Sequence, residues 1–295
     1  MVSQLKWLKK SLMICTVLCF FSPGFAQPLY QISLPDREIL LYGTIHIKPE
    51  TIALAPELLA LLNEVDQVWF EIEAMELASA GLLMAQAAQR PNNDLQQQLG
   101  DELMLKLEQS LAELGLADFP YEQFESWFIA NLMTMQKMMQ LEFSSEYGSE
   151  QQLKALLGDQ PINGLESVEQ QLALFTKLQQ ELGEQELIKN SLDELKTVAQ
   201  QSQVLLHLWL TADLDELDLL MQDSLTDYGY QIMLSDRNQA WLEQLLTPEL
   251  ADLQLLVAVG AGHLGGDQGL LRLFEQQGAI ITALTAAAKQ QAEQQ

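Results

Sequence analysis

Cysteine, histidine and positive charge are all scarce in this 295-residue chain. The two cysteines, Cys15 and Cys19, both fall near the start. Once that segment is removed no thiol remains, which excludes disulfides, thiolate metal ligands and a cysteine nucleophile. Lys and Arg total 15 against 41 Asp and Glu, a formal net charge of −26. A surface this negative is repelled by phosphate backbones and anionic lipid heads, so nucleic acid is excluded as a partner. The acidity itself serves solubility. There is no G-x-S-x-G, hence no support for a serine nucleophile of that type. A long apolar run is missing too. Ser11 to Phe21 is the nearest approach, and a bilayer span needs about 20 residues.

That short run belongs to a targeting signal. Lys6, Lys9 and Lys10 form a basic start, and Gly24-Phe25-Ala26 puts small residues where a signal peptidase reads. Cleavage is expected after Ala26, giving an exported protein, periplasmic or secreted, that begins at Gln27 and has no membrane span. Leu18 before Cys19 argues against a lipoprotein signal. Without disulfides the exported chain must stand on its core, and at 48% hydrophobic residues it can.

The strongest structural signal lies near the end. Leu253 to Val259 is a nearly continuous apolar run, the pattern of a strand buried on both faces. Gly260, Gly262, Gly265 and Gly266 supply a sharp turn around His263. Asp267 is positioned to cap a helix carrying Leu270, Leu271 and Phe274, and after Gly278 a last strand is predicted at Ala279 to Leu284. The start of the chain repeats the theme: a strand at Ile39 to Tyr42, then Gly43-Thr44-Ile45-His46. A helix with Leu58, Leu59, Leu61 and Leu62 follows Pro56, and Val65 to Glu73 reads as a second strand. This βαβ unit predicts neighbouring parallel strands. Between about 74 and 249 helical spacing rules: 74–88, 101–114, 120–140, 167–182, 184–210, and 213–246 with a break near Tyr228. Pro161 to Leu165 reads as one more strand, followed by Ser167 as an N-cap. The prediction is a single α/β domain over 27–295. Its mainly parallel sheet is built from βα units at 27–73 and 250–285, with a long helical insertion between them.

Among the three histidines, His207 lies in an apolar helical stretch and reads as a core or helix-face residue. His46 and His263 each follow a strand and a Gly-x-x spacer, where open α/β sheets place their ligands. Two imidazoles call for a third ligand, and with thiolate excluded it must be carboxylate. Glu71, flanked by Phe70 and Ile72, is the stronger choice, since a carboxylate on an apolar strand is costly unless paired or metal-bound. Glu73, two residues on, shares its face in a strand. His46, His263 and Glu71 would leave one position open for water, as catalytic metal sites do. Imidazole and carboxylate suit manganese, cobalt and zinc alike. Arg237 has Met233, Leu234, Ala240 and Trp241 at i±3 and i±4, which puts a guanidinium on an apolar stripe. It needs an anion: Glu71, Glu73, or a substrate oxyanion. Glu73, Asn238, Gly43 and Gly260 are further positions expected to meet substrate. Gly260 to Gly265 also matches G-x-G-x-x-G, but the following strand carries no acid for a ribose, so a dinucleotide site is rejected.

These residues resemble the TraB/GumN family, relatives of the Tiki proteins. The resemblance rests on LYGTIH at Leu41 to His46, VWFEIE at Val68 to Glu73, GLESVEQQL at Gly164 to Leu172, DRNQAW at Asp236 to Trp241, and VAVGAGHLGGDQGLL at Val257 to Leu271. It implies an α/β core with a helical insert and a metal site at His46 and His263, with Glu71 and Arg237 nearby. Gly148-Ser149-Glu150 stands where the family leads one to expect Gly-x-Asp. Tiki relatives are metal-dependent proteases. The expected function is therefore an exported metal-dependent hydrolase, with a peptidase as the first candidate. The alternative is a protein that captures a peptide or small ligand in the same cleft without turning it over.

Overall fold

The computed structural model describes residues 26–284, with the side chains of 74–80 left undescribed. The expected signal segment lies outside the described residues except for Ala26. Among the described residues, no helix is long and apolar enough to cross a membrane.

Six strands form one mixed sheet: β1 Leu29–Leu34, β2 Arg37–Thr44, β3 Gln67–Phe70, β4 Ile162–Gly164, β5 Gln254–Gly260 and β6 Ile280–Ala283, in the order β4-β3-β5-β2-β1-β6. The pairings β4–β3, β3–β5 and β5–β2 are parallel, while β1 runs antiparallel to β2 and β6 antiparallel to β1. The α/β prediction holds, with two corrections. An unpredicted strand, β1, precedes the predicted first strand, β2, and forms a hairpin with it through the turn at Pro35-Asp36. The strands of the βαβ unit are also not neighbours, because β5 lies between β2 and β3. Its residues Leu255 to Val259 are all buried, and the longest apolar run takes the middle of the sheet, where both faces are covered.

The helices follow the predicted order with sharper breaks. Gly115 (φ 78°) and Gly278 (φ 84°) end their helices in the left-handed region. The 120–140 stretch becomes a short 3₁₀ turn and the helix Ser126–Gln140, and 184–210 splits into Glu184–Glu194 and Val198–Thr211. Ser167 caps Val168–Leu182 through a reciprocal capping box with Gln170. Two helices went unpredicted, Leu95–Leu99 and Ser149–Leu157. Asp267 does not cap the last helix: Gly269 holds the N-cap position of Leu270–Gln276.

Apolar side chains gather into two cores. One surrounds the sheet and takes in Trp209, Trp241, Leu245 and Phe274 from the helices. The other lies wholly in the helical region apart from Ile72, and includes Leu95, Leu107, Leu111, Trp127 and Ile188.

Candidate functional site

Parallel pairing brings three strand ends to one edge. Thr44 lies opposite Gly260 and Phe70 opposite Ala258, so His46, Glu71 and the turn carrying His263 leave the sheet together. The strand predicted to Glu73 stops at Phe70. Beyond it the two-residue alternation lapses. Glu71 stays buried and faces the site, whereas Glu73 is exposed and does not line the cleft.

Glu71 is the hub. Its Oε1 accepts the Gly260 N–H at 2.8 Å and stands 4.0 Å from Nε2 of both His46 and His263. Its Oε2 accepts from Arg237 Nη2 at 2.6 Å and from Gln171 Nε2 at 3.2 Å. Burial pushes this carboxyl up, but Arg237, then the two histidines and the Gly260 N–H, outweigh it and hold it far below the usual range.

The two histidines are oriented by different partners. His263 Nδ1 lies 2.7 Å from Asn238 Oδ1, and Asn238 Nδ2 is committed to the Gln268 carbonyl at 2.8 Å. The amide therefore presents its oxygen, the imidazole carries its proton on Nδ1, and the Nε2 lone pair faces Arg237 Nη1 at 3.0 Å. Burial drives His263 down to about 3, with Arg237 adding to the shift, so it is neutral at pH 7. His46 is exposed on the cleft. Its Nδ1 meets Glu150 Oε1 at 2.6 Å, and that carboxylate pushes the imidazole up to about 9. Glu150 also accepts from Thr44 Oγ1. The approach is set by backbone pairing: Ser149 N donates to the Ile45 carbonyl, Ile45 N donates to Ser149 Oγ, and a Cβ on Gly148 would strike the His46 carbonyl oxygen at 2.3 Å.

Arg237 is largely buried, its side chain 10% exposed, in keeping with its apolar stripe, and its guanidinium lies 4.6 Å above the Trp241 ring. Its helix contains a π turn at Gln231–Ser235 in which Asp236 N donates to the Gln231 carbonyl. The Met233 carbonyl accepts from Arg237 Nη1 at 2.9 Å. The expected anion is Glu71, joined by one the sequence reading missed, Glu166. Glu166 receives Nε at 3.1 Å and also Nη2, and its own N–H pairs with the Glu71 carbonyl at 2.9 Å. The signal for it was present: Glu166 stands two residues past a short strand, as Glu71 stands one past its own.

The predicted glycines divide. Gly260 lines the site, where a Cβ would sit 3.2 Å from Glu71 Oε1 and 3.6 Å from His46 Nε2. Gly43 serves packing instead, pressed against Pro28, Leu264 and Ala261, with its carbonyl accepting from Trp209 Nε1 at 2.9 Å. Asn238 is buried and orients His263. His207 lies on an exposed helix face. The cleft beside the site encloses about 410 Å³; His46, Glu71, Glu150 and Arg237 line its polar end, and Phe70, Ile72, Met84, Leu174, Phe175 and Met233 its apolar walls.

The donor set fits a divalent cation in kind. Two imidazoles have their Nδ1 atoms held by oxygen acceptors, which directs Nε2 toward the site, as metal-ligating histidines do. Three carboxylates against one guanidinium leave a negative charge that a dication offsets. The side chains stand wider apart than ligands around an ion: among the described residues, no three His, Cys, Asp or Glu are grouped to hold one.

Comparison with known proteins agrees with the motifs. The model of the TraB/PrgY/gumN family matches residues 28–283. Uncharacterized protein YbaP of Escherichia coli (strain K12) is 26% identical over 256 residues, covering 85% of this chain and 93% of the relative. The protein of the same name from Shigella flexneri matches to the same extent. No solved structure matches. Since the family model spans the sheet, the helical region and every residue of the site, the chain belongs to the TraB/PrgY/gumN family.

Proposed function

We propose that this cleft is the active site of an exported, divalent-metal-dependent hydrolase acting on a peptide or related amide. One observation carries the reading: two imidazole Nε2 atoms and a carboxylate oxygen, from three strand ends far apart in sequence, converge with each Nδ1 already bound to an oxygen. His46, His263 and Glu71 would hold manganese, cobalt or zinc. Such an ion, when bound, acidifies water and polarises a carbonyl. Asn238 and Glu150 fix the imidazole planes, the apolar walls exclude water, and Arg237 offers N–H donors to negative charge developing on the substrate.

A second reading, ligand capture without turnover, is favoured by a different observation. All five N–H groups of Arg237 are engaged, so no donor is free for an oxyanion as the site stands.

Calorimetric titration with MnCl₂, CoCl₂ and ZnCl₂ tests the first reading. One equivalent should bind wild type and neither His46→Ala nor His263→Ala, and peptide cleavage should follow the metal. A folded wild type that binds none of the three sinks it. Metal binding without cleavage of any peptide in a degenerate library supports the second.

A further inference from the structure

We infer that Arg237 is the resident occupant of the cation position, and that Glu166 is the dock to which it withdraws when an ion enters. The inference rests on the metal-site reading above and adds what governs loading of the site.

The contacts of the guanidinium fall into two sets. Nε and Nη2 reach Glu166, and Nη1 reaches the Met233 carbonyl; neither partner belongs to the ligand set. The remaining contacts fall on the proposed ligands, with Nη1 on His263 Nε2 at 3.0 Å and Nη2 on Glu71 Oε2 at 2.6 Å. A cation bound by His263 needs the lone pair that Nη1 now holds, so the two contacts exclude each other. Access points the same way. Arg237 lines the cleft, while His263, 4% exposed, does not. An ion arriving from the cleft meets the guanidinium before it meets the imidazole.

Withdrawal leaves Arg237 well held. The Nε–Glu166 pair and the face of Trp241 involve none of the contested atoms. Gln171 bridges Glu71 and Glu166 at 3.2 and 2.7 Å and keeps the dock beside the site. Giving up His263 and Glu71 frees two donors from an arginine whose donors are all engaged. Loading the site and arming Arg237 for substrate are then one event, which reconciles the saturated guanidinium with a catalytic role.

The experiment compares Mn²⁺ and Zn²⁺ affinity of wild type, Arg237→Gln and Arg237→Lys by calorimetry. Arg237→Gln removes the occupant and should bind tighter by roughly 10–100-fold, the scale on which neighbouring groups tune metal affinity. Arg237→Lys keeps the charge but loses the fork, and should resemble Gln rather than wild type. Equal affinity of wild type and Arg237→Gln overturns the inference and leaves the metal site standing. A lysine variant indistinguishable from wild type also overturns it, because charge alone would then explain the effect. If none of the three proteins binds either ion, the metal-site reading fails and this inference with it. Should the variants misfold, ¹⁵N spectra of wild type with ZnCl₂ decide. His263 Nε2 should shift while the Arg237 Nε–H stays protected by Glu166, and an unmoved His263 refutes the model.

Discussion

Glu150 and Asn238 occupy matching positions on the two histidines, each placing an oxygen against Nδ1, at 2.6 Å on His46 and 2.7 Å on His263. One acceptor is a carboxylate and the other a neutral amide. The carboxylate pushes His46 up to about 9, whereas burial, with Arg237 adding to it and no anion on Nδ1 to oppose it, drives His263 down to about 3.

Stability should therefore peak near neutrality. The raised His46 contributes fully below its ordinary value of 6.5 and loses that contribution as pH rises toward about 9. The depressed His263 acts the other way. It takes no proton until about 3 while the unfolded chain takes one near 6.5, so stability falls as pH drops between them. The lowered Glu71 and Glu150 steepen that acid limb. Thermal melts from pH 4 to 10 should show His46→Gln flattening the alkaline limb and His263→Gln the acid one. Because His46 is exposed on its cleft side, its limb should be the shallower and the more sensitive to salt.

Gly260→Ala and Gly43→Ala should fail differently. At Gly260 φ is −50°, so alanine is not strained. Its methyl enters the space between Glu71 and His46, and metal binding should fall while the melting temperature stays near wild type. At Gly43 a Cβ would meet Pro28 Cβ at 2.9 Å, a rigid neighbour. That overpacking should cost about 1–3 kcal/mol in urea unfolding.

Glu166→Leu should destabilise by about 3 kcal/mol in the same assay, the low end for breaking a buried ion pair, because Glu71 still faces the guanidinium. A loss under about 0.5 kcal/mol would mean that Glu166 does not hold Arg237 in solution.

The exported protein should begin at Gln27. Its side chain is buried, donating to the Ala53 carbonyl and accepting from Ala55 N and Tyr42 OH, so trimming past it removes three internal hydrogen bonds. Mass spectrometry of the secreted form should find neither Met1 nor a start beyond Gln27.

The site was legible where chemistry followed a strand. His46 and His263 each stand past an apolar strand and a Gly-x-x spacer, Glu71 directly follows the apolar end of its own strand, and parallel pairing did the rest. Arg237 was legible because a guanidinium on an apolar helical stripe must meet an anion. Glu150 was not. A glutamate in the first turn of a helix looks like any acid near a helix start, and only backbone pairing between distant segments brings it to His46. Glu73 misled because alternation was carried past the last paired residue of β3. The insertion of β5 between β2 and β3 was hidden too, since sequence neighbours pair in space only as a tendency.

Phe70 packs into the core around the sheet, and Ile72 into the separate core of the helices. Glu71 thus sits between anchors in two separate apolar clusters. A cavity far from the cleft, such as one made at Leu107, which shares a cluster with Ile72, should therefore loosen the peptide neighbour of Glu71. Screens for loss of function in this protein should therefore return substitutions in the helical core alongside those in the site. Because the anchor of Glu71 is shared, the two groups should be told apart by stability rather than by their effect on the cleft.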